Sequence, residues 1–364
     1  MPDDALWLGL VCAALVGKTL EYGLTKGRYK VGERYPGESR TTPSVVLARS
    51  TATDQGASSE SNEPNWNGRS YQKGSEGAKG HTSSIAKNRS ALVRDLNDLA
   101  DVFFSIRGIG WDFGTDYPLH IPREWRRTES VNVFLRQTAV QLCLSFLVFD
   151  LLECTFKLIP GVGTPEGGTI FLPQLPPPQR YTLSTLITCM TGLVVVFAFQ
   201  MWYNYFTLIG VGLLGHSPLS YPPLFHAPWK AQSVSSFWGM RWHQLVRQTF
   251  FVYGGYPLQW LCATATSLYR GKNSKAAKRA GEIGLVLGTF IGSGLFHGLG
   301  IWTMHAGSDQ KGGVDFQAPI YFTACSLAVL AERLFKITTG KKVGGILGWL
   351  WTAFWILIAS QLMG

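Results

Sequence analysis

His297 stands inside a long apolar segment, where an ionisable side chain is energetically costly. The segment covers residues 281–303, and His297 is the one ionisable side chain after Glu282. A residue of this kind is by default a candidate functional residue. Because imidazole accepts a proton near neutral pH, the position favours general-base chemistry. A structural histidine bonded to a neighbouring helix explains this segment equally well.

Small residues surround this histidine along the same segment. Glycine occurs at Gly288, Gly292, Gly294, Gly298 and Gly300. Such residues allow helices or a ligand to approach closely. The segment is therefore suited to tight packing around a buried site.

A second polar cluster lies in residues 233–247, which read SVSSFWGMRWHQLVR. The serines can cap a helix at its start. Aromatic, basic and aliphatic residues then recur at three- and four-residue spacing, at Phe237, Trp238, Arg241, Trp242 and Leu245. This pattern predicts an amphipathic helix at the membrane interface. It does not account for His243, which becomes the second candidate for chemistry.

Other kinds of catalytic site find no support in the sequence. There is no Ser-His-Asp arrangement, no GxSxG elbow and no HxxxH or His/Asp cluster for a metal ion. The six cysteines form no CxxC or Cys/His pattern and are expected to be small buried hydrophobes.

Three runs together carry a resemblance to a known family. They are PPLF at 222–225, SFWGMRWHQLVRQTFFVYGGYP at 236–257 and SGLFHGLG at 293–300. They resemble the wax-synthase-like branch of the membrane-bound O-acyltransferases, above all the fungal members that acylate hydroxyl groups of secondary metabolites. RGIGWDFG at 107–114 also resembles a stretch of these proteins. The resemblance covers roughly residues 100–360.

The resemblance implies transfer of an acyl group from acetyl-CoA or another acyl-CoA to a hydrophobic alcohol. By match, His297 is the general base. His243 holds the second signature position, commonly Asn in related enzymes, and would orient the thioester or the acceptor. Binding of substrate and CoA is assigned to Trp238, Arg241, Trp242, Gln244, Arg247 and Ser293. No permanently bound cofactor and no metal ion is expected.

The sequence departs from the family pattern at two points. Met240 stands where a second Arg is usual. A single apolar segment precedes the polar N-terminal stretch, fewer than many members show, which leaves the extent of the acceptor pocket open.

Apolar segments of about 20 residues must position these side chains, since that length crosses a hydrocarbon core. The segments after the N-terminal region are 133–152, 182–203 with a continuation to about 214, 249–268, 281–303, 317–336 and 343–363. They predict an all-α, polytopic integral membrane helical bundle with about 6–8 membrane segments.

One segment disturbs the alternation of loop charges. Loops 215–248 and 269–280 are both basic, although segment 249–268 lies between them. Gly254, Gly255 and Pro257 within that segment are helix breakers. We therefore predict a broken, re-entrant segment with both flanks in the cytosol.

Composition agrees with a membrane protein. Of 364 residues, 46% are hydrophobic and 15% charged, whereas soluble domains carry about a quarter charged residues. The net charge of +10 lies in loops between apolar segments. It is expected to face the lipid bilayer rather than nucleic acid.

The chain divides into three predicted regions. Residues 1–25 are an N-terminal membrane anchor, residues 26–98 a disordered cytosolic linker rich in Ser, Gly and Asn, and residues 99–364 the O-acyltransferase domain. The expected location is the endoplasmic reticulum membrane, with several crossings.

Two alternatives remain open at this point, a wax ester synthase and a transporter, whereas a terpene cyclase is disfavoured. A long-chain wax ester synthase would use the same reaction on other substrates. A transporter would use His297 as a proton relay and segment 249–268 as its substrate site. A membrane terpene cyclase would need carboxylates within the spans, and Asp150 and Glu153 stand at the end of segment 133–152.

Overall fold

The computed structural model describes residues 120–159, 169–272, 274–305 and 316–363, with the isolated positions 16, 96, 107 and 162. Its regular elements in these ranges are helices, and no strand occurs in them. The predicted anchor 1–25 and linker 26–98 fall outside the described residues apart from positions 16 and 96, and so does most of the RGIGWDFG stretch.

The helices of the described ranges are numbered in chain order. They are α1 (Val131–Lys157), α2 (Pro177–Leu208), α3 (Val234–Ser236), α4 (Arg247–Phe250), α5 (Tyr256–Arg270), α6 (Lys275–His305), α7 (Gln317–Thr339) and α8 (Gly345–Ala353). Wider π-helical turns extend or join several of them: Ile209–Leu213 after α2, Phe237–Arg241 after α3, Phe251–Gly255 between α4 and α5, and Phe354–Ile358 after α8. Short 3-10 helices cover Pro218–Ser220, Pro228–Lys230 and Ala359–Met363.

Three helical stretches are long and apolar enough to cross a membrane. Within the described ranges they are Val131–Lys157, Pro177–Leu213 and Lys275–Trp302, and they coincide with the segments predicted at 133–152, 182–214 and 281–303. The segments predicted at 317–336 and 343–363 are also helical, as α7 and as α8 with its extensions. The total of 6–8 membrane segments stays a prediction.

The break predicted in segment 249–268 is wrong. The chain stays helical from Arg247 to Arg270, and both Phe250 and Gly255 have right-handed helical backbone angles. Pro257 directly follows the π-helical turn Phe251–Gly255, and this turn accommodates the N–H that proline lacks without ending the helix. The π-helical turn absorbs the remaining irregularity. An unbroken helix of this length is about 36 Å long, so a helix break no longer supports re-entry, which stays a prediction from the loop charges alone.

The glycines of α6 bring its backbone against its neighbours. A Cβ on Gly254 would collide with the carbonyl oxygen of Gly288, and a Cβ on Gly288 would collide with that of Gly254. On another face of α6, a Cβ on Gly294 would lie 2.6 Å from the Cα of Pro319 in α7. An ion pair between Glu282 and Arg333 also joins α6 to α7. Close packing thus fixes α6 between two helices.

The chain forms two compact units. Among the described residues, the first contains those of 139–205 and 224–363 and holds every predicted site residue, and the second contains those of 120–138 and 206–223. In the second unit the buried Arg126 donates to Glu124, to Thr138 Oγ1 and to the carbonyl oxygen of Tyr221. Its guanidinium also lies 4.3 Å from the centre of the Phe134 ring.

Candidate functional site

The segment that carries His243 is helical at its start and then stops. The Ser233 side chain accepts a hydrogen bond from the N–H of Ser236 at 3.0 Å, which caps the helix as its serines predict. The helical stretch, here called the motif helix, comprises α3 and the π-helical turn and runs from Val234 to Arg241. Trp242 is extended, with ψ of 158°. The single helix predicted over 233–247 is therefore wrong.

Gln244 explains why the motif helix can end there. Its side-chain amide donates to the carbonyl oxygen of Gly239 at 2.6 Å, and the N–H of Trp242 donates to the carbonyl of Phe237 at 2.8 Å. These bonds satisfy carbonyls at the helix end. Gln244 is buried, so the structure gives this predicted binding residue a capping role.

At its N-terminal end, the motif helix is hydrogen-bonded to a buried carboxylate. Glu332 of α7 accepts hydrogen bonds from the backbone N–H groups of Val234 at 2.6 Å and Ser235 at 3.0 Å. It also accepts from Trp351 Nε1 at 2.9 Å. Together with the Ser233 cap, the first three N–H groups of the helix are all satisfied.

His297 packs against α7. Its imidazole stacks on the ring of Phe322, with centroids 4.8 Å apart and planes at 8°. Phe322 belongs to a buried cluster with Tyr321 and Cys325. Trp238 of the motif helix packs on the same cluster, with its ring 5.5 Å from that of Phe322. The histidine thus lies in an apolar, aromatic setting.

His243 occupies an aromatic cage of its own. Its ring centroid is 4.5 Å from Phe199 of α2, 5.5 Å from Trp242 and 5.8 Å from Phe225. Trp242 in turn contacts Trp238 at 6.0 Å. A continuous run of ring contacts therefore links the two histidines.

The two arginines of the motif are engaged by the protein. Arg241 donates to the backbone carbonyl oxygens of His226 at 3.1 Å and Ala227 at 3.2 Å. This holds Ala227 in a left-handed conformation, with φ of 42°. The guanidinium of Arg247 lies 4.6 Å from the ring centre of Phe251. Both contacts stabilise the local fold.

Positive charge gathers around His226 in the loop before the motif helix. The pKa of this imidazole is lowered, first because part of its hydration is lost, then because Arg241 and Lys230 are nearby cations. The pKa of Arg241 is also lowered by burial. This loop favours a neutral histidine and an anionic partner.

Sequence reasoning missed three residues that shape the site. Phe199 and Phe322 gave no signal, since aromatic residues are common in apolar segments. Glu332 did carry one: it is an acidic residue inside the expected segment 317–336. Ser293, by contrast, lies buried on α6 one turn before His297, as the spacing indicates.

The arrangement suits proton transfer in an apolar environment. One imidazole lies on an apolar helix among aromatic rings, and a second lies on the neighbouring motif segment. In the ranges that the structure describes, no three His, Cys, Asp or Glu side chains come close enough to hold a metal ion.

Comparison with known proteins supports this interpretation. Residues 221–323 match the profile of the "Membrane bound O-acyl transferase family". The matched range contains the motif helix, both histidines, Ser293 and Phe322. This confirms the resemblance found in the sequence.

Relatives among curated proteins are fungal. The chain is 25% identical to "Acetyltransferase sirH" of Emericella nidulans over 77% of its length, and 22% identical to "Acetyltransferase spyB" of Aspergillus fumigatus over 76%. It is 24% identical to "O-Mevalon transferase yanI" of Aspergillus niger over 57%. The chain spans 62%, 49% and 46% of the length of these three proteins. No solved structure matches it.

Proposed function

We propose that this chain, in which residues 221–323 match the profile of the "Membrane bound O-acyl transferase family", transfers an acyl group from an acyl-CoA to a hydroxyl group of a lipophilic secondary metabolite. The observation that carries the proposal is the position of His297 within the matched range, on an apolar helix and stacked on Phe322.

In the proposed reaction His297 takes the proton of the acceptor hydroxyl as that oxygen attacks the thioester carbonyl. A tetrahedral oxyanion forms, and its collapse breaks the carbon–sulfur bond. The departing CoA thiolate then receives the proton held by His297, which leaves an ester, free CoA and a neutral imidazole. No covalent acyl-enzyme is required. His243, held in its aromatic cage, would stabilise the oxyanion or orient the thioester.

The donor and the acceptor are expected to enter from different sides. Lys230 is exposed in the loop beside His226, and the predicted basic loop 269–280 offers further cations for CoA phosphates. The alcohol would enter from the bilayer. Arg241 and Arg247 already contact other groups of the protein. They would shape the entrance for CoA rather than pair with its phosphates directly.

The names of the relatives bear on the acyl group. Two are named acetyltransferases and one an O-mevalon transferase. We propose acetyl-CoA as the donor and a terpenoid or polyketide hydroxyl as the acceptor. A multi-pass location in the endoplasmic reticulum membrane, and an acyltransferase domain covering residues 99–364, belong to the same proposal.

A microsomal assay tests this function. Labelled acetyl-CoA and palmitoyl-CoA are offered with a panel of hydroxylated terpenoids and fatty alcohols. We expect acetyl transfer to a terpenoid, and no transfer by the His297→Ala variant at equal protein amount. His81→Ala, in the polar stretch 35–98, serves as the control with normal activity.

The other outcomes decide between the alternatives. Transfer of palmitate to fatty alcohols would identify a wax ester synthase. Full activity in His297→Ala would disprove the proposed base. Transfer to no acceptor from either donor would favour a transporter.

A further inference from the structure

We propose that Glu332 is a positioning residue for the acyl transfer, because it fixes the motif helix, with Trp238 and the following His243, against the helix on which His297 stacks. The proposal rests on the proposed function for its kinetic consequence. Its structural part can be tested without activity.

The first step is the bonding of the carboxylate. Glu332 is 8% exposed. One oxygen accepts from the N–H of Val234 and from Trp351 Nε1, and the other accepts from the N–H of Ser235. A buried carboxylate bonded to two successive N–H groups at a helix start is stabilised by those bonds and by the helix dipole. The bonding of Glu332 to the start of the motif helix is therefore strong and directional.

The second step concerns the helices that the hydrogen bonds of Glu332 connect. Glu332 belongs to α7, Val234 and Ser235 begin the motif helix, and Trp351 belongs to α8. A single side chain thus ties together three helices that are separate in sequence. The cap from Ser233, in contrast, comes from the motif segment itself and connects it to nothing else.

The third step is that α7 also contacts the proposed base. Phe322 of α7 stacks on His297 and also packs against Trp238. The same helix therefore holds the motif helix twice, at its first turn through Glu332 and at Trp238 through the aromatic cluster. His243 follows two residues after the motif helix ends, so its position depends on both contacts.

Kinetics of purified full-length protein in detergent test the proposal. In Glu332→Gln, an amide N–H₂ group replaces one accepting oxygen and faces backbone donors. We expect kcat per folded molecule to fall about tenfold to 100-fold, since small misplacements of reacting groups have effects of this size. KM for acyl-CoA and for the alcohol should change little, and Glu332→Asp should recover part of kcat.

Ser233→Ala is the matched control. It weakens the same helix start without cutting the link to α7, so it should lower thermal stability and leave kcat per folded molecule near the parent value. Normal kcat in Glu332→Gln with reduced stability alone would show that the residue is merely structural and would overturn the proposal.

A chemical readout separates this proposal from the proposed function. Cys325 is fully buried beneath Trp238 and Phe322. In a background where Cys12, Cys143, Cys154, Cys189 and Cys262 are replaced, we expect a small maleimide to label Cys325 faster in Glu332→Gln than in the parent or in Ser233→Ala. If the parent shows no transfer activity, the proposed function fails, and faster labelling then supports only the structural part of the proposal, the link that Glu332 makes between α7 and the motif helix. Unchanged labelling would refute that link and with it the positioning role.

Discussion

The imidazole of His297 lies parallel to the phenyl ring of Phe322, with ring centroids 4.8 Å apart. His297 lies on α6 and Phe322 on α7, and the two residues do not belong to the same sequence motif. The stack orients the ring of the proposed base, and the same phenyl ring carries Trp238 of the motif helix. A contact between neighbouring helices thus sets the geometry of the candidate site.

Replacing Phe322 by Leu should reduce activity more than stability. Leucine keeps an apolar side chain of similar volume but offers no flat face to the imidazole. We expect about a tenfold decrease in kcat at saturating substrates. Phe290→Leu is the control, because Phe290 packs on Trp238 in the same cluster. Equal kcat values in the two variants would show that the stack has no catalytic importance.

Replacing Gly288 by Ala should destabilise the protein, because the new methyl group would collide with the backbone of Gly254. We expect a loss of more than about 2 kcal/mol, as in other overpacked interiors, measured as thermal unfolding in detergent. At Gly192 in α2 an added Cβ meets no atom within 4 Å. Gly192→Ala should therefore be neutral or slightly stabilising, and equal effects at both positions would contradict the close packing of α6.

Replacing Gln244 by Glu should act through the motif helix rather than through CoA binding. A carboxylate would face the carbonyl oxygen of Gly239, which now accepts a hydrogen bond from the amide. Leaving that carbonyl unsatisfied should cost about 1–3 kcal/mol, so the unfolding temperature and kcat should both decrease. A raised KM for acyl-CoA at unchanged stability would instead show that Gln244 contacts the donor.

His226 should make the protein sensitive to acid. Its pKa in the folded protein is below the ordinary value of 6.5, so the folded state binds fewer protons than the unfolded state in this range. The stability that neutral His226 contributes is complete above pH 6.5 and is lost as pH falls through the folded pKa.

Thermal unfolding at a series of pH values checks this expectation. His226→Gln should reduce the loss of stability between neutral and mildly acidic pH, whereas His81→Gln should leave it as in the parent. A steeper loss in His226→Gln would reverse the assigned direction.

The sequence by itself determined the class of the protein and its two histidines. Apolar segments of membrane length identified the helices, because crossing a hydrocarbon core imposes length and composition on each segment separately. The sequence also identified His297 as a candidate, because an ionisable side chain within an apolar segment is energetically costly and therefore points to a function. The sequence likewise predicted the cap at Ser233, since the capping side chain and the N–H group that donates to it lie only three residues apart.

Only the tertiary structure decided how these pieces meet. Whether Gly254 breaks a helix or admits a neighbour depends on Gly288, which lies on another helix. Where the motif helix ends depends on the fold of the chain that returns Gln244 to Gly239. Phe322 and Glu332 acquire their roles from contacts more than 20 residues away in sequence. Such contacts leave no periodic pattern in the chain, because packing of separate helices selects them.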